Sequence, residues 1–321
     1  MPRGVRAELA GVTVGDGLPV VVMGVVNVSP ESFHPGSVYR GEEAIVTAAL
    51  AMVDAGAVLI DVGARSTAPY LETDIDDAVE TKRLARAVEA LAAKLPVPIS
   101  ADTSRPGPAR AALEAGARVI NDVSTLRNPE LARLVAAHSV GLILMAAPGA
   151  RDGVPGARRP QGRRRRAVGG DHTSRGARMR RSEMGRRTPG TPSRAPSPVV
   201  LVKRLLGEAL RRAARARILP ERIVVDPGIG FFRDESIAWH EWDVRVLAEL
   251  RALRGLGRPI CVGVSRKSFI GAIVECEDTA DRLAGSLAAT AIAVVNGAAL
   301  IRTHDVAETR DAVRVAERVR R

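Results

Sequence analysis

The sequence predicts a (β/α)8 barrel, and three observations carry that prediction. A unit recurs: "DAGAVLIDVG" (54–63), "EAGARVINDV" (114–123) and "NGAALIRTHD" (296–305) each end a helix at glycine and restart as an apolar strand. Glycine suits the positive-φ position that stops a helix, and the β-branched run after it suits a strand buried on both faces. Eight such strands alternate with helical stretches over the chain, a pattern that calls for a parallel sheet. Finally, no G-x-G-x-x-G follows the first strand, although an open doubly wound dinucleotide-binding sheet would carry one there.

In order, "VTVGDGLPVVV" reads as an N-terminal hairpin with Gly15, Asp16 and Gly17 at its turn. The eight strands are "VVVMGVVN" ending at Asn27, "VLIDVG" around Asp61, "PISAD" ending at Asp102 and "RVIND" ending at Asn121 and Asp122. They continue with "GLILM" ending at Met145, "RIVVDPG" at Asp226, "ICVGVSRK" at Lys267 and "LIRTH" at Arg302 and His304. "EAIVTAALAMVDAG" has helical spacing, and "NPELARLVAAH" places Asn128 as N-cap with Pro129 as the first helical residue. Strand ends fall roughly 20 to 40 residues apart, except that Met145 and Asp226 are separated by 81. The excess is an Arg-rich, Gly/Pro/Ser-rich stretch at 150–198. Without apolar periodicity it cannot bury enough surface to offset chain entropy, so it is expected to be a disordered insertion after strand five. Helical pattern resumes at "VVLVKRLLGEALRRAARA". The expected organisation is one barrel domain over 1–321 interrupted at 150–198.

Charge follows the same division. The formal net charge is +12, yet 150–198 holds 14 Arg, no Lys and three acids, or +11 of it. Basicity therefore belongs to one segment and not to the fold. Aromatic residues make up only 2%, against a base-stacking surface, so no specific nucleic-acid partner is expected. The two cysteines, Cys261 and Cys276, fit no disulfide or metal framework. No signal-peptide core opens the chain, and its longest early apolar run is too short for a bilayer. The expectation is a soluble cytoplasmic protein without a membrane partner.

Barrels of this kind build their active sites at the C-terminal strand ends. Here those ends carry Asn27, Asp61, Asp102, Asn121, Asp226, Lys267, Arg302 and His304. Any single polar residue at a strand end normally meets solvent or caps a helix. Together, the amide and carboxylates of strands three, four and six are hydrogen-bond partners for a flat, nitrogen-rich ring. The cations of strands seven and eight sit where barrels commonly hold phosphate. Asn27 offers a hard oxygen of the kind Mg2+ accepts beside a phosphate. "PICVGVSRKSFIG" (259–271), an apolar strand that stops on Ser265, Arg266, Lys267 and Ser268, thus reads as one wall of a site. A solvated side chain is the plainer reading for Arg266.

Six strings in order, "MGVVNVSPESF" (23–33), "DTS" (102–104), "IND" (120–122), "DPGIGF" (226–231), "GVSRKSFIG" (263–271) and "RTHD" (302–305), closely resemble the dihydropteroate synthase family of pterin-binding barrels. The resemblance covers about residues 10–147 and 199 to the end. It implies a transferase of folate biosynthesis. Such an enzyme condenses 6-hydroxymethyl-7,8-dihydropterin pyrophosphate with p-aminobenzoate, giving 7,8-dihydropteroate and pyrophosphate. Carried over by position, it implies that Asp102, Asn121, Asp226 and Lys267 hold the pterin and that Asn27 binds Mg2+. Thr67, Arg302 and His304 would meet the pyrophosphate, with Ser265 on the aminobenzoate side and no side chain acting as acid or base. It also implies a homodimer packed through late-barrel helices, for which 283–295 is apolar enough.

Three positions depart from the family pattern. Ala68 in "RSTAPY" stands where the family has arginine, with Arg65 nearby. Phe33 is followed by His34 and Pro35, and Met145 by "AAPG". The departures concern the second-substrate half. They leave open a relative using a modified aminobenzoate, as in methanopterin-like pathways, a pterin-binding methyltransferase, or a non-catalytic pterin-binding paralogue.

Overall fold

The computed structural model describes residues 4–28, 41–65, 75–148, 197–232 and 237–320. Eight parallel strands close into a barrel: β3 (Val21–Asn27), β4 (Leu59–Gly63), β5 (Ile99–Asp102), β6 (Val119–Asp122), β7 (Gly141–Met145), β8 (Ile223–Asp226), β9 (Ile260–Val262) and β10 (Ala298–Thr303). β10 pairs with both β3 and β9, which closes the cylinder. Outside lie α1 (Glu42–Asp54), α2 (Asp77–Ala92), α3 (Pro106–Ala115), α4 (Pro129–His138), α5 (Pro198–Arg215), α6 (Trp239–Ala248), α7 (Ser268–Val274), α8 (Leu283–Val295) and α9 (Val306–Val319). The barrel fold expected from the sequence is therefore the fold observed.

Local chemistry sets the helix ends. Asn128 caps α4 by accepting the Glu130 N–H at 2.9 Å, ahead of Pro129. Asp76 caps α2 in the same way through Ala78 N at 2.8 Å. Gly116 ends α3 at φ 121°, and a Cβ there would stand 2.7 Å from the Ala92 Cβ, so both conformation and close packing require glycine.

Apolar residues form two cores. One lies between the outer barrel face and the helices and includes Ile60, Val62, Leu84, Val88, Ile120, Leu131 and Leu206. The other fills the barrel interior with Met23, Leu59, Val119, Ile143, Val224, Cys261 and Leu300. The N-terminal hairpin, β1 (Arg6–Leu9) and β2 (Val12–Gly15), adds Ala7, Leu9 and Val14 to that interior cluster. Leu9 packs against the start of β7, close enough that a Cβ on Gly141 would meet its Cδ2 at 2.8 Å. The hairpin thereby plugs the N-terminal mouth, leaving the C-terminal rim as the face where polar side chains collect.

Three sequence expectations are corrected. The hairpin turns at Ala10 and Gly11, both at positive φ (52° and 88°), between the paired Leu9 and Val12. Gly15–Gly17 instead leads out toward β3, with Asp16 accepting the Val5 N–H at 3.0 Å. The seventh barrel strand stops at Val262, five residues before Lys267, which is the N-cap of α7. The insertion follows β7, the fifth barrel strand, as expected. Its last residues, Ser197 and Pro198, are already the N-cap and first residue of α5, and the rest of 150–198 lies outside the described residues.

Candidate active site

Parallel register assembles the rim. Asn27 pairs with Gly63, Gly63 with Asp102, and Asp102 with Asn121, so these four positions form one row across β3, β4, β5 and β6. Gly63 contributes no side chain. A Cβ there would lie 3.4 Å from Asn27 Oδ1 and 3.8 Å from Asp102 Oδ2, so the glycine keeps open the space between them.

Beneath this row, Asp61 is completely buried. Its Oδ2 accepts from Arg302 Nε at 2.6 Å and from Asn121 Nδ2 at 3.1 Å. Arg302 Nη2 donates to Asp102 Oδ2 at 2.9 Å. One guanidinium thus bridges two carboxylates from β4 and β5, held from β10 on the far side of the row. Burial pushes the Asp102 carboxyl up to about 7. Arg302 and Arg65 oppose that rise, while Asp61 and Glu80 reinforce it. Burial alone would lower the Arg302 pKa, but Asp61 and Asp102 more than offset it and hold it above its usual value.

The opposite wall comes from β8 and the start of α7. Asp226 ends β8, and its Oδ1 accepts the Gly228 N–H at 2.7 Å. Burial raises the Asp226 pKa; the Gly228 hydrogen bond and then the Lys267 and Arg302 charges work against it. Gly228 sits at φ 72°, where a Cβ would stand 2.0 Å from the Ala146 carbonyl oxygen, so no other residue fits. Lys267 Nζ donates to the Ile229 carbonyl and lies 4.8 Å above the Phe231 ring centroid. The loop under Lys267 is itself fixed from α6. Buried Asp243 accepts the Gly230 N–H at 2.8 Å, and Trp242 stacks on Phe232 with centroids 5.2 Å apart.

A third cluster joins β3 to β10. Asn27 Nδ2 lies 3.5 Å from His304 Nε2, and Ser265 Oγ lies 3.0 Å from His304 Nδ1. Ser265 Oγ also accepts the His304 backbone N–H at 3.3 Å and reaches Asp305 Oδ2 at 3.4 Å. Arg266 is not the solvated side chain of the plainer expectation. It forks onto Asp305 (Nη2–Oδ1 2.7 Å, Nε–Oδ2 2.9 Å) and donates to the Thr279 and Ala280 carbonyls, both at 2.8 Å. Arg266 therefore anchors the segment that presents Ser265, at a φ of 54°.

The structure brings Asn27, Asp102, Asn121, Asp226, Ser265, Lys267, Arg302 and His304 to one end of the barrel. Thr67, Ala68, His34 and Pro35 lie outside the described residues. Arg65, the neighbour of the altered loop, places Nε 3.2 Å from Glu80 Oε2. Sequence reasoning missed Glu80 altogether. It is 1% exposed and also receives Thr103 Oγ1 at 2.6 Å and Arg105 Nη1 at 3.1 Å, tying the chain after β5 to α2. A signal existed: Glu80 continues the buried stripe Leu84, Ala87, Val88 and Leu91, so an acid stands on the apolar face of an amphipathic helix. Asp243 carries the same signal on α6 beside Trp242, Val246 and Leu247.

Among the described residues, no group of three or more His, Cys, Asp or Glu side chains could hold a metal ion. On the Asn27–His304 side of the rim, the amide oxygen of Asn27 is a donor beside a histidine. One protein oxygen suits a Mg2+ that is otherwise coordinated by phosphate oxygens and water.

Comparison with known proteins agrees with this geometry. A family model described as "pterin binding enzyme" matches residues 23–304. The dihydropteroate synthase of Synechocystis sp. is 33% identical over 92% of this chain and 89% of its own length. Among solved structures, Xanthomonas albilineans dihydropteroate synthase with 4-aminobenzoic acid shares 34% identity at a TM-score of 0.75, with 98% of both chains covered. The structure of the Xanthomonas enzyme in complex with 7,8-dihydropteroate gives 32% and 0.73 over the same shares.

Proposed function

Because the chain belongs to the pterin-binding enzyme family, as a transferase of the dihydropteroate synthase type, we propose that its rim joins 6-hydroxymethyl-7,8-dihydropterin pyrophosphate to p-aminobenzoate. The products are 7,8-dihydropteroate and pyrophosphate, a step of folate biosynthesis. The observation that carries this reading is the row Asn27–Gly63–Asp102–Asn121 facing Asp226 and Lys267 across one barrel mouth. Asp102, Asn121 and Asp226 supply acceptors for ring N–H groups, and Lys267 supplies a donor for a ring acceptor. The floor is buried, so these contacts form out of competition with water.

In the reaction the pterin methylene carbon loses its bond to the pyrophosphate oxygen, which keeps the electron pair. The aminobenzoate nitrogen forms the new bond to that carbon and gives up a proton. Carboxylates at Asp102 and Asp226 favour the positive charge that develops on the pterin as the bond breaks. Arg302, at the junction of the ring pocket and the Asn27–His304 side, and His304 face the developing negative charge. Thr67 and Ser265 complete the pyrophosphate and aminobenzoate sides in this reading. Asn27 would hold Mg2+, which when bound neutralises pyrophosphate charge. The two thiols are free, with Cys261 buried, and no described helix is long and apolar enough to cross a membrane. The free thiols support placement in the cytoplasm.

The test is turnover by the purified full-length chain with both substrates and Mg2+. Equimolar dihydropteroate and pyrophosphate are expected; pterin binding without product would remove the catalytic part of the reading. Burial pushes the Asp102 carboxyl up to about 7, so the ionised, acceptor-only form prevails above that pH and gives way to the protonated form as pH falls through it. The value of kcat/KM for the pterin substrate should therefore drop toward about tenfold per pH unit on the acid side. A profile flat from pH 8 to 5.5 would remove Asp102 from pterin binding. We also propose a homodimer through the late-barrel helices, supported by the exposed Ile273 and Val274 of α7 and Ile292 of α8. Sedimentation at micromolar concentration should give the mass of two chains, and a single-chain mass would refute the dimer.

A further inference from the structure

Asp61 is absent from the contacts just proposed, yet it is the most deeply buried charge beneath them. It lies on β4 with its carboxylate fully inaccessible. An isolated carboxylate in such a place would be expensive, and here two donors compensate it through the same oxygen: Arg302 Nε at 2.6 Å and Asn121 Nδ2 at 3.1 Å. Chemistry fixes the sense of the second bond. An ionised carboxylate only accepts, so Asn121 must turn its NH2 toward Asp61 and leave its carbonyl oxygen for the open side of the pocket. The same bond to Arg302 orients the guanidinium whose other edge meets Asp102 at 2.9 Å. Asp61 Oδ1, Asp102 Oδ1 and Ser100 Oγ, all buried, have no hydrogen-bond partner among the described residues. Ser100 neighbours Asp61 directly in register. The floor is thus left with acceptor capacity that the protein does not use.

We propose that Asp61 is the positioning residue of the pterin floor: it sets the hydrogen-bond polarity of Asn121 and the orientation of Arg302, so that the pocket presents acceptors and selects a ring bearing N–H donors. The inference rests on the reading of the rim as a dihydropterin site. In this role Asp61 acts through its two partners, Asn121 and Arg302. With asparagine at position 61, two amides face each other, Asn121 loses the reason to hold one orientation, and Arg302 is left to Asp102 alone.

Titration with 7,8-dihydropterin from pH 5.5 to 8.5 tests this on the full-length wild type and on Asp61→Asn, with thermal melting to confirm folding. The variant is expected to bind roughly 10- to 100-fold more weakly, as for loss of hydrogen bonds to a charged group. Its acid limb should also move to lower pH. The groups facing Asp102 are Arg302, Asp61, Arg65 and Glu80; removing the Asp61 charge removes one that raises its pKa. Wild-type affinity and an unmoved limb would overturn the proposal. So would an equal loss at every pH, the mark of a merely structural role. Should the variant not fold, an atomic-resolution structure of the wild-type pterin complex decides: Asn121 Oδ1 toward the ring supports the proposal, and Nδ2 toward the ring with Oδ1 toward Asp61 overturns it. A wild type that binds no dihydropterin would overturn it together with the reading on which it rests.

Discussion

Asp226→Ala is expected to weaken dihydropterin binding by roughly 2–5 kcal/mol, the range for truncating one partner of a buried, hydrogen-bonded charge pair. That is a loss of about 30-fold to several thousand-fold. The carboxylate stands at the end of β8 with one oxygen already taken by the Gly228 N–H and with the Lys267 charge beside it. Its loss removes acceptors from the ring and one carboxylate charge that interacts with Lys267. The backbone of the loop should survive, because Asp243 independently holds Gly230 and Trp242 holds Phe232. The effect should therefore appear in calorimetric titration with dihydropterin while the denaturation midpoint moves little. Lys267→Ala should follow the same pattern. An Asp226→Ala protein that binds within threefold of wild type would undo the assignment of this wall.

Arg302→Ala should act on stability as much as on binding. It strips the counter-ion from two carboxylates, one of them wholly buried, and breaking a buried pair typically costs about 3–5 kcal/mol. The pH dependence has a definite sign. Without Arg302 the Asp102 pKa rises further, so the carboxyl is protonated over more of the neutral range, and protonation relieves the unpaired charge. The destabilisation should be largest at pH 8 and shrink toward pH 5, as read by urea denaturation at each pH. Arg302→Lys should rescue poorly, because one ammonium cannot reproduce the Nε and Nη2 bonds that point to different carboxylates. Unchanged stability at pH 8 would mean that the Asp61–Arg302–Asp102 bridge carries no weight.

Much of this was legible in the sequence, for physical reasons that differ residue by residue. The barrel was readable because glycine stops and apolar runs recur, and Gly56, Gly116 and Gly297 all hold positive φ. The rim residues were readable because polar side chains end apolar strands. Their adjacency was not: that Asn27, Gly63, Asp102 and Asn121 share one row depends on register, which no local spacing encodes. Lys267 was expected at a strand end but is the N-cap of a helix. Gly263 and the left-handed Arg266 end the strand early, while the apolar run through Val264 suggests that it continues. The hairpin turn was misplaced because Gly-Asp-Gly is a louder turn signal than Ala-Gly, although the alternation of exposed Arg6 and Glu8 with buried Ala7 and Leu9 marked the true strand. Arg266 and Asp305 could not be paired from sequence, since 39 residues separate them.

The most direct test of the central claim, that side chains from all around the barrel meet at one pterin-binding mouth, is a crystal structure of the full-length protein grown with 7,8-dihydropteroate. The pterin ring is expected at the C-terminal rim, within hydrogen-bonding distance of Asp102, Asn121, Asp226 and Lys267, with the aminobenzoate moiety leaving toward Ser265. Ligand density at any other place, with those four side chains in contact only with water, would contradict it.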